Sequence, residues 1–361
     1  SFDIFSSADR VYVSLSGLEE SFEPALKLFE HILANVQPDE EALANMVDGI
    51  LKERTDNKKN KNVIFGQALG SYGIYGPKSE FTNILSEKEL KQLKGKDLTD
   101  ILKQLTSYKH YVFYYGQNNL KTVSKLLNKY HKTPAKLKNY PTPAVFTELP
   151  TNKDKVYFVN YDMVQAQITM LSKDELFNKT LVPFASVFNE YFGGGLSSIV
   201  FQEIRESRAL AYAASSYFSS PAKPDKSHYS RAFMAVQADK MKDAIGAMRQ
   251  LLNDMPKAEK QFTGACASVQ KQIETERTTK TDIFFSYLRA KDRGLDYDLN
   301  KDVYEKAKTL TLTDMEQFFT NHVKGKQYVF LVMGDKNKLN MDYLKSLGEF
   351  KELTLEEIFG Y

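Results

Sequence analysis

The chain repeats itself, and that repeat narrows its possible folds more than any other feature. Arg10-Val-Tyr-Val-Ser-Leu alternates like a half-buried strand, and a helical pattern carrying Phe22, Leu26, Phe29 and Leu33 follows it. Arg231-Ala-Phe-Met-Ala-Val is a second such strand, followed by Met241, Ala244, Ile245, Met248, Leu251 and Leu252 at helical spacing, with an offset of 221 between the two arginines. Later, Tyr111-Val-Phe-Tyr-Tyr-Gly116 returns as Tyr328-Val-Phe-Leu-Val-Met-Gly334, offset by 217 at the tyrosines and 218 at the glycines. Two separate landmarks at nearly one offset predict two copies of one unit.

Between the landmarks run long helical patterns, such as Leu43, Met46, Val47, Ile50 and Leu51 behind a cap at Asp39. Strands and helices are mixed without regular alternation, and the strands are short. This predicts an α+β fold of two duplicated lobes, each a mainly antiparallel sheet covered by helices on one face. Pro134, Pro141, Pro143 and Pro150 fall in one polar stretch, read as a linker over residues 133–153. The lobes are therefore expected at residues 1–132 and 154–361. The second opens with about 75 residues ahead of Arg231, whereas nine precede Arg10. Those 75 hold strands at Val156 to Tyr161 and Gln165 to Leu171, then a helix with Leu181, Phe184, Ala185, Phe188 and Tyr191 on one face. The first lobe is expected to be truncated at its N-terminus and the chain to be cut from a longer protein.

Composition excludes several classes. With 42% hydrophobic and 26% charged residues among 361, the chain is not a disordered one. A net charge of +3 is too small for nucleic-acid binding by charge alone, although a local basic face stays open, and Lys52 to Asn62 lacks the interleaved aromatics of a single-strand binder. No apolar run reaches the roughly 20 residues of a membrane helix. One cysteine, Cys266, forms no intrachain disulfide or thiolate cluster and is expected to be buried. His31, His110, His131, His228 and His322 are never within four residues of one another, so no metal site is predicted in this chain.

The most informative segment is Gly193-Gly-Gly-Leu-Ser-Ser-Ile-Val-Phe-Gln-Glu-Ile-Arg-Glu-Ser-Arg-Ala-Leu-Ala-Tyr212. The glycines should end one helix in a left-handed turn, with Ser197 or Ser198 capping the next, which buries Ile199, Val200 and Ile204 and stops near Arg208. From Leu210 a strand follows, with Tyr212, Ala214, Ser216 and Phe218 on one face. Arg205 and Tyr212 then project to one side of the corner. Taken alone, such a pair is most often a dipole-favoured surface arginine beside a half-buried tyrosine. A phosphate loop is disfavoured, because no Gly-Lys-Ser/Thr follows the glycines.

Over some twenty positions this run resembles the signature of the pitrilysin and insulinase family of zinc metallopeptidases, at its metal-free half: a Gly-rich turn, then Ser-Arg-Leu-Phe, then Arg-Glu-Lys-x-Gly-Leu-Ala-Tyr. Ser198-Ile-Val-Phe201 stands for the first part and Arg205-Glu-Ser-Arg-Ala-Leu-Ala-Tyr212 for the second; Ile199 replaces an arginine and Ala209 a glycine. The family's inverted zinc motif, His-x-x-Glu-His, is absent here. The resemblance implies a C-terminal, non-zinc-binding half of a zinc-dependent endopeptidase, inactive alone, that closes a peptide chamber. It further implies that zinc is held outside this chain by an N-terminal half as partner, on the same chain or a separate subunit. Arg205 and Tyr212 would bind the substrate carbonyl and stabilise the oxyanion, with Gly194, Gly195 and Ser198 lining the peptide. A non-catalytic scaffold or partner subunit of the same fold is the alternative. The protein is expected to be soluble, in a bacterial cytoplasm or periplasm.

Overall fold

A computed structural model describes residues 1–7 and 9–361 and divides them into two compact units. The first comprises Ser1–Lys59 with Asn83–Phe146, the second Asn60–Thr82 with Thr147–Tyr361. No helix or strand occurs between residues 131 and 154, and the change of unit at 146/147 falls within this stretch. The architecture is α+β.

In the first unit β1 (Phe2–Ser6) pairs antiparallel with β2 (Val11–Leu15). Helices Phe22–Asn35, Glu40–Asn57, Gly95–Gln104 and Leu120–Tyr130 accompany them. Asp39 caps the second of these by accepting from the Ala42 N–H at 2.9 Å. Leu43, Val47 and Leu90 make a small buried core, while Met46, expected beside them, is 47% exposed. The segment Tyr111–Gly116 is not a strand. Its second-lobe counterpart lies between two partner strands, and the described residues of the first unit supply no neighbour that completes a ladder for it. Its backbone instead bends around Glu19, whose carboxylate accepts from Tyr114 Oη (2.6 Å) and the Gln117 N–H (3.0 Å). These bonds hold the Glu19 carboxyl below its ordinary range, the Tyr114 bond most of all.

The second unit is built on a six-stranded sheet. In chain order its strands are β3 (Lys155–Asn160), β4 (Gln165–Leu176), β5 (Ala213–Ser219), β6 (Ser227–Gln237), β7 (Val329–Gly334) and β8 (Glu349–Leu353). Their order across the sheet is β5-β6-β4-β7-β3-β8. The pairs β5–β6, β6–β4 and β4–β7 are antiparallel, whereas β3 runs parallel to both β7 and β8.

One face carries Ala232, Met234 and Val236 of β6 beneath helices Leu181–Phe188, Met241–Asn253, Glu259–Thr275 and Leu312–His322. The opposite face is also covered. Ile64, Phe65, Ala68, Leu69 and Tyr72, from a segment that follows the long first-unit helix, pack with Val159, Leu331 and Met333, and Ile358 and Phe359 close the same core. This packing puts residues 60–82 in the second unit, and it explains why every residue of β7 is buried. At roughly 1.5–3 kcal/mol for each fully buried large side chain, the doubly covered sheet holds most of the chain's hydrophobic stabilisation.

Candidate functional site

Helix Leu181–Phe188 runs on as a π-helical turn over Asn189–Gly194. Two side chains fix that turn. Tyr191 Oη donates to the Pro256 carbonyl at 2.8 Å and accepts from the Ala258 N–H at 3.0 Å. Asn189 donates from Nδ2 to the Phe218 carbonyl (3.1 Å) and accepts on Oδ1 from the Phe218 N–H (2.6 Å), so one side-chain amide completes the outer edge of β5 as a strand would.

The glycines serve a purpose different from the one expected. None of Gly193, Gly194 and Gly195 has a positive φ. A Cβ on Gly193 would lie 2.1 Å from the Ser216 carbonyl oxygen and 2.4 Å from its nitrogen, so this position is glycine because two backbones meet there. Gly194 is exposed and Gly195 partly so. Beside Gly194 opens a cavity of about 650 Å³ whose wall includes Ser186, Glu190, Val269, Gln272 and Glu276. Glu190 accepts there from Ser268 Oγ at 2.8 Å.

The chain becomes helical again at Ile199 and passes into a second π-turn, Phe201–Ser207. Ser198 precedes it as foreseen, and its carbonyl accepts from the Gln202 N–H at 3.0 Å. Its hydroxyl makes no cap. Ser198 is 1% exposed and its Oγ has no hydrogen-bond partner, so that side chain lies inside the fold, away from any surface a peptide would touch. Ile199, Val200 and Ile204 are buried, as the helical period required.

Arg205 emerges from the same turn half-exposed. Its guanidinium carbon sits 4.9 Å from the centre of the Phe201 ring and 5.8 Å from that of Tyr212, and its Nε is 3.6 Å from Glu206 Oε1. These are cation–π distances. The link from helix to strand passes through Ala209, which at φ 48° is the one non-glycine residue with positive φ among those described. Lys240 Nζ donates to the Ala209 carbonyl (2.9 Å), and the Leu210 N–H donates to that of Ile204 (2.9 Å). Tyr212 lies just ahead of β5, with its N–H donated to the Ala235 carbonyl at 2.8 Å. Its ring is 70% exposed, whereas Ala214, Ser216 and Phe218 are buried. Tyr212 thus extends the row of the strand beyond the helical cover and stands next to the guanidinium.

Two predicted residues are therefore brought together, two glycines lie on the adjoining turn, and Ser198 is withdrawn. The contact of Phe201 with Arg205 and the role of Asn189 were not foreseen from the sequence. The first was legible as an aromatic four positions before Arg205, a helical neighbour spacing; the pairing of Asn189 with β5 has no local signal. Cys266 is buried, and burial pushes its thiol pKa up. No group of three or more His, Cys, Asp or Glu among the described residues could hold a metal ion, so the residues present do not fit a catalytic zinc. No described helix is long and apolar enough to cross a membrane.

Comparison with known proteins shows what the chain is similar to. Residues 96–265 match the family model described as the peptidase M16 inactive domain. No curated protein sequence matches. Among solved structures, the peptidase M16 inactive domain from Pseudomonas fluorescens aligns at 16% identity and a TM-score of 0.58, over 93% of this chain and 81% of that one. A mutant of the ferredoxin protease FusC, solved in complex with Arabidopsis ferredoxin, aligns at 11% identity and a TM-score of 0.70, over 93% of this chain and 37% of that one. The periplasmic protease PqqL from Escherichia coli aligns at 14% identity and a TM-score of 0.66, again over 93% and 37%. The family match includes the run from Arg205 to Tyr212, and the solved structures share the fold of this chain. The chain spans little more than a third of the two full proteases.

Proposed function

We propose that this chain is the metal-free half of a pitrilysin-type zinc endopeptidase, closing a peptide chamber against a zinc-binding half. In this reading the other half holds the zinc and supplies the hydrolytic chemistry. Arg205 and Tyr212 hold the carbonyl oxygen of the scissile peptide bond and stabilise the negative charge that develops on it, a contribution of about 3 kcal/mol for a well-placed donor. A guanidinium always carries its charge and a phenol keeps its proton at neutral pH, so both act as donors. Gly194 and Gly195 lie along the peptide's path, their lack of side chains leaving backbone N–H and C=O groups approachable. We place the protein in a bacterial cytoplasm or periplasm.

One observation carries this reading. Arg205 is braced by Phe201 and its own π-turn, and Tyr212 is anchored through its backbone, yet neither polar head is enclosed by the unit's core. Exposed, pre-oriented donors at π-turns suit a site completed by other polypeptide. The isolated chain, given zinc and an unstructured peptide, is expected to show no cleavage, and cleavage by this chain alone would overturn the assignment. A second reading, a scaffold subunit without chemistry, is favoured by Ile199 and Ala209, which depart from the family pattern. The two separate on the completing half: an intact His-x-x-Glu-His there supports the enzyme, a degenerate one the scaffold.

A further inference from the structure

A second constellation lies in the first unit, unconnected with Arg205 and Tyr212. His110 and His131 are 21 positions apart, and their Nε2 atoms approach to 2.8 Å. His110 Nδ1 is 2.7 Å from the Tyr108 carbonyl oxygen, and His131 Nδ1 is 2.8 Å from Glu30 Oε1. A carbonyl and a carboxylate accept, so each Nδ1 carries the hydrogen it donates. The two Nε2 atoms face each other at hydrogen-bond distance, and a metal ion can take the place of the hydrogen between them.

We propose that His110 and His131 form a two-histidine site for a divalent transition-metal ion of the Ni²⁺ or Cu²⁺ type, with Glu30 as the outer carboxylate that orients His131. Tying the second ring nitrogen to a carboxylate or a backbone carbonyl is how metal-ligating histidines are held in the correct tautomer. Ligand type sets the metal, since imidazole nitrogen suits Ni²⁺ and Cu²⁺, and Cu²⁺ heads the affinity order of the divalent first-row ions. Imidazole–metal bonds of about 2.0–2.1 Å put neighbouring nitrogens about 2.9 Å apart at the right angles of tetragonal coordination, but about 3.3 Å apart at a tetrahedral ion such as Zn²⁺. The rings stand at 81° with centroids 5.0 Å apart, so binding requires each to turn until both lone pairs meet at one point. Approach is open from the His110 side, which is exposed, whereas the side chains of His131 and Glu30 are 16% and 13% exposed. With two protein ligands, water takes the remaining positions.

Calorimetric titration of Ni²⁺ into the chelator-treated chain at neutral pH tests the site. One saturable site is expected. It should disappear in His110→Ala, whose exposed ring contributes little to folding, and weaken about tenfold or more in Glu30→Gln. Absence of saturable binding, as for a histidine pair bridged by a proton alone, would overturn the proposal, as would wild-type affinity in His110→Ala.

Discussion

Ala209 occupies a left-handed conformation that costs an L-residue roughly 1–2 kcal/mol. Part of that cost is offset by the lower backbone entropy of alanine in the unfolded chain. Ala209→Gly is therefore expected to stabilise the chain by about 1 kcal/mol in urea unfolding; a neutral or destabilising result would show that the Lys240 contact at its carbonyl, not φ, governs the turn. Gly193→Ala is expected to cost about 3 kcal/mol or more, because the added carbon meets backbone that cannot swing aside. Gly193 and Ala209 were both marked in the sequence, but only Ala209 could be judged there, since a turn type leaves a local signature and a close approach between distant backbones does not. His228 supplies a pH prediction. It is fully buried between Phe177 and Phe218, accepts from the Asn178 N–H on Nε2, and is held neutral because burial pushes its pKa down. A base whose folded pKa is lowered contributes stability that is complete above the unfolded value, near pH 6.5, and lost as pH falls through the folded one. Unfolding free energy should accordingly fall between pH 7.5 and 5, and a flat profile would contradict a neutral buried His228.

At the scale of elements, the edge of β5 depends on one side chain. Asn189→Ala leaves the N–H and carbonyl of fully buried Phe218 unpaired, at about 1–3 kcal/mol for each group. It should also free the strand edge for pairing between molecules, which light scattering during mild heating would reveal. Strand and helix positions in the second unit were readable because period and burial agree there: β6 around Arg231 and the helix from Met241 lie where alternation and helical spacing placed them. Tyr111–Gly116, which repeats the sequence of β7, is not a strand for the opposite reason. Its residues are those of a strand, but a strand is a pairing, and no local pattern reports whether a neighbour is present. Backbone amides of Val329–Gly334 are expected to exchange at least about 100-fold more slowly than those of Tyr111–Tyr115, and equal protection would mean that the first segment is paired after all. The histidine pair was hidden similarly, because metal-ligand spacing rules look along the sequence, whereas His110 and His131 meet across a fold.

For the molecule as a whole, the signature was legible in the sequence, and the family match over residues 96–265 includes it. The attribution of residues 60–82 was not legible, since a helical stretch that follows a first-unit helix in sequence and packs within the second unit carries no mark of its destination. The functional account comes down to Arg205 and Tyr212 acting on a substrate held by two halves. Its most direct test is the peptide-cleavage rate of the proposed assembly of this chain with a zinc-binding half, measured for wild type, Arg205→Ala and Tyr212→Phe, with circular dichroism to show unchanged folding. The account predicts a loss of at least about tenfold in each variant. Wild-type turnover in both would contradict it.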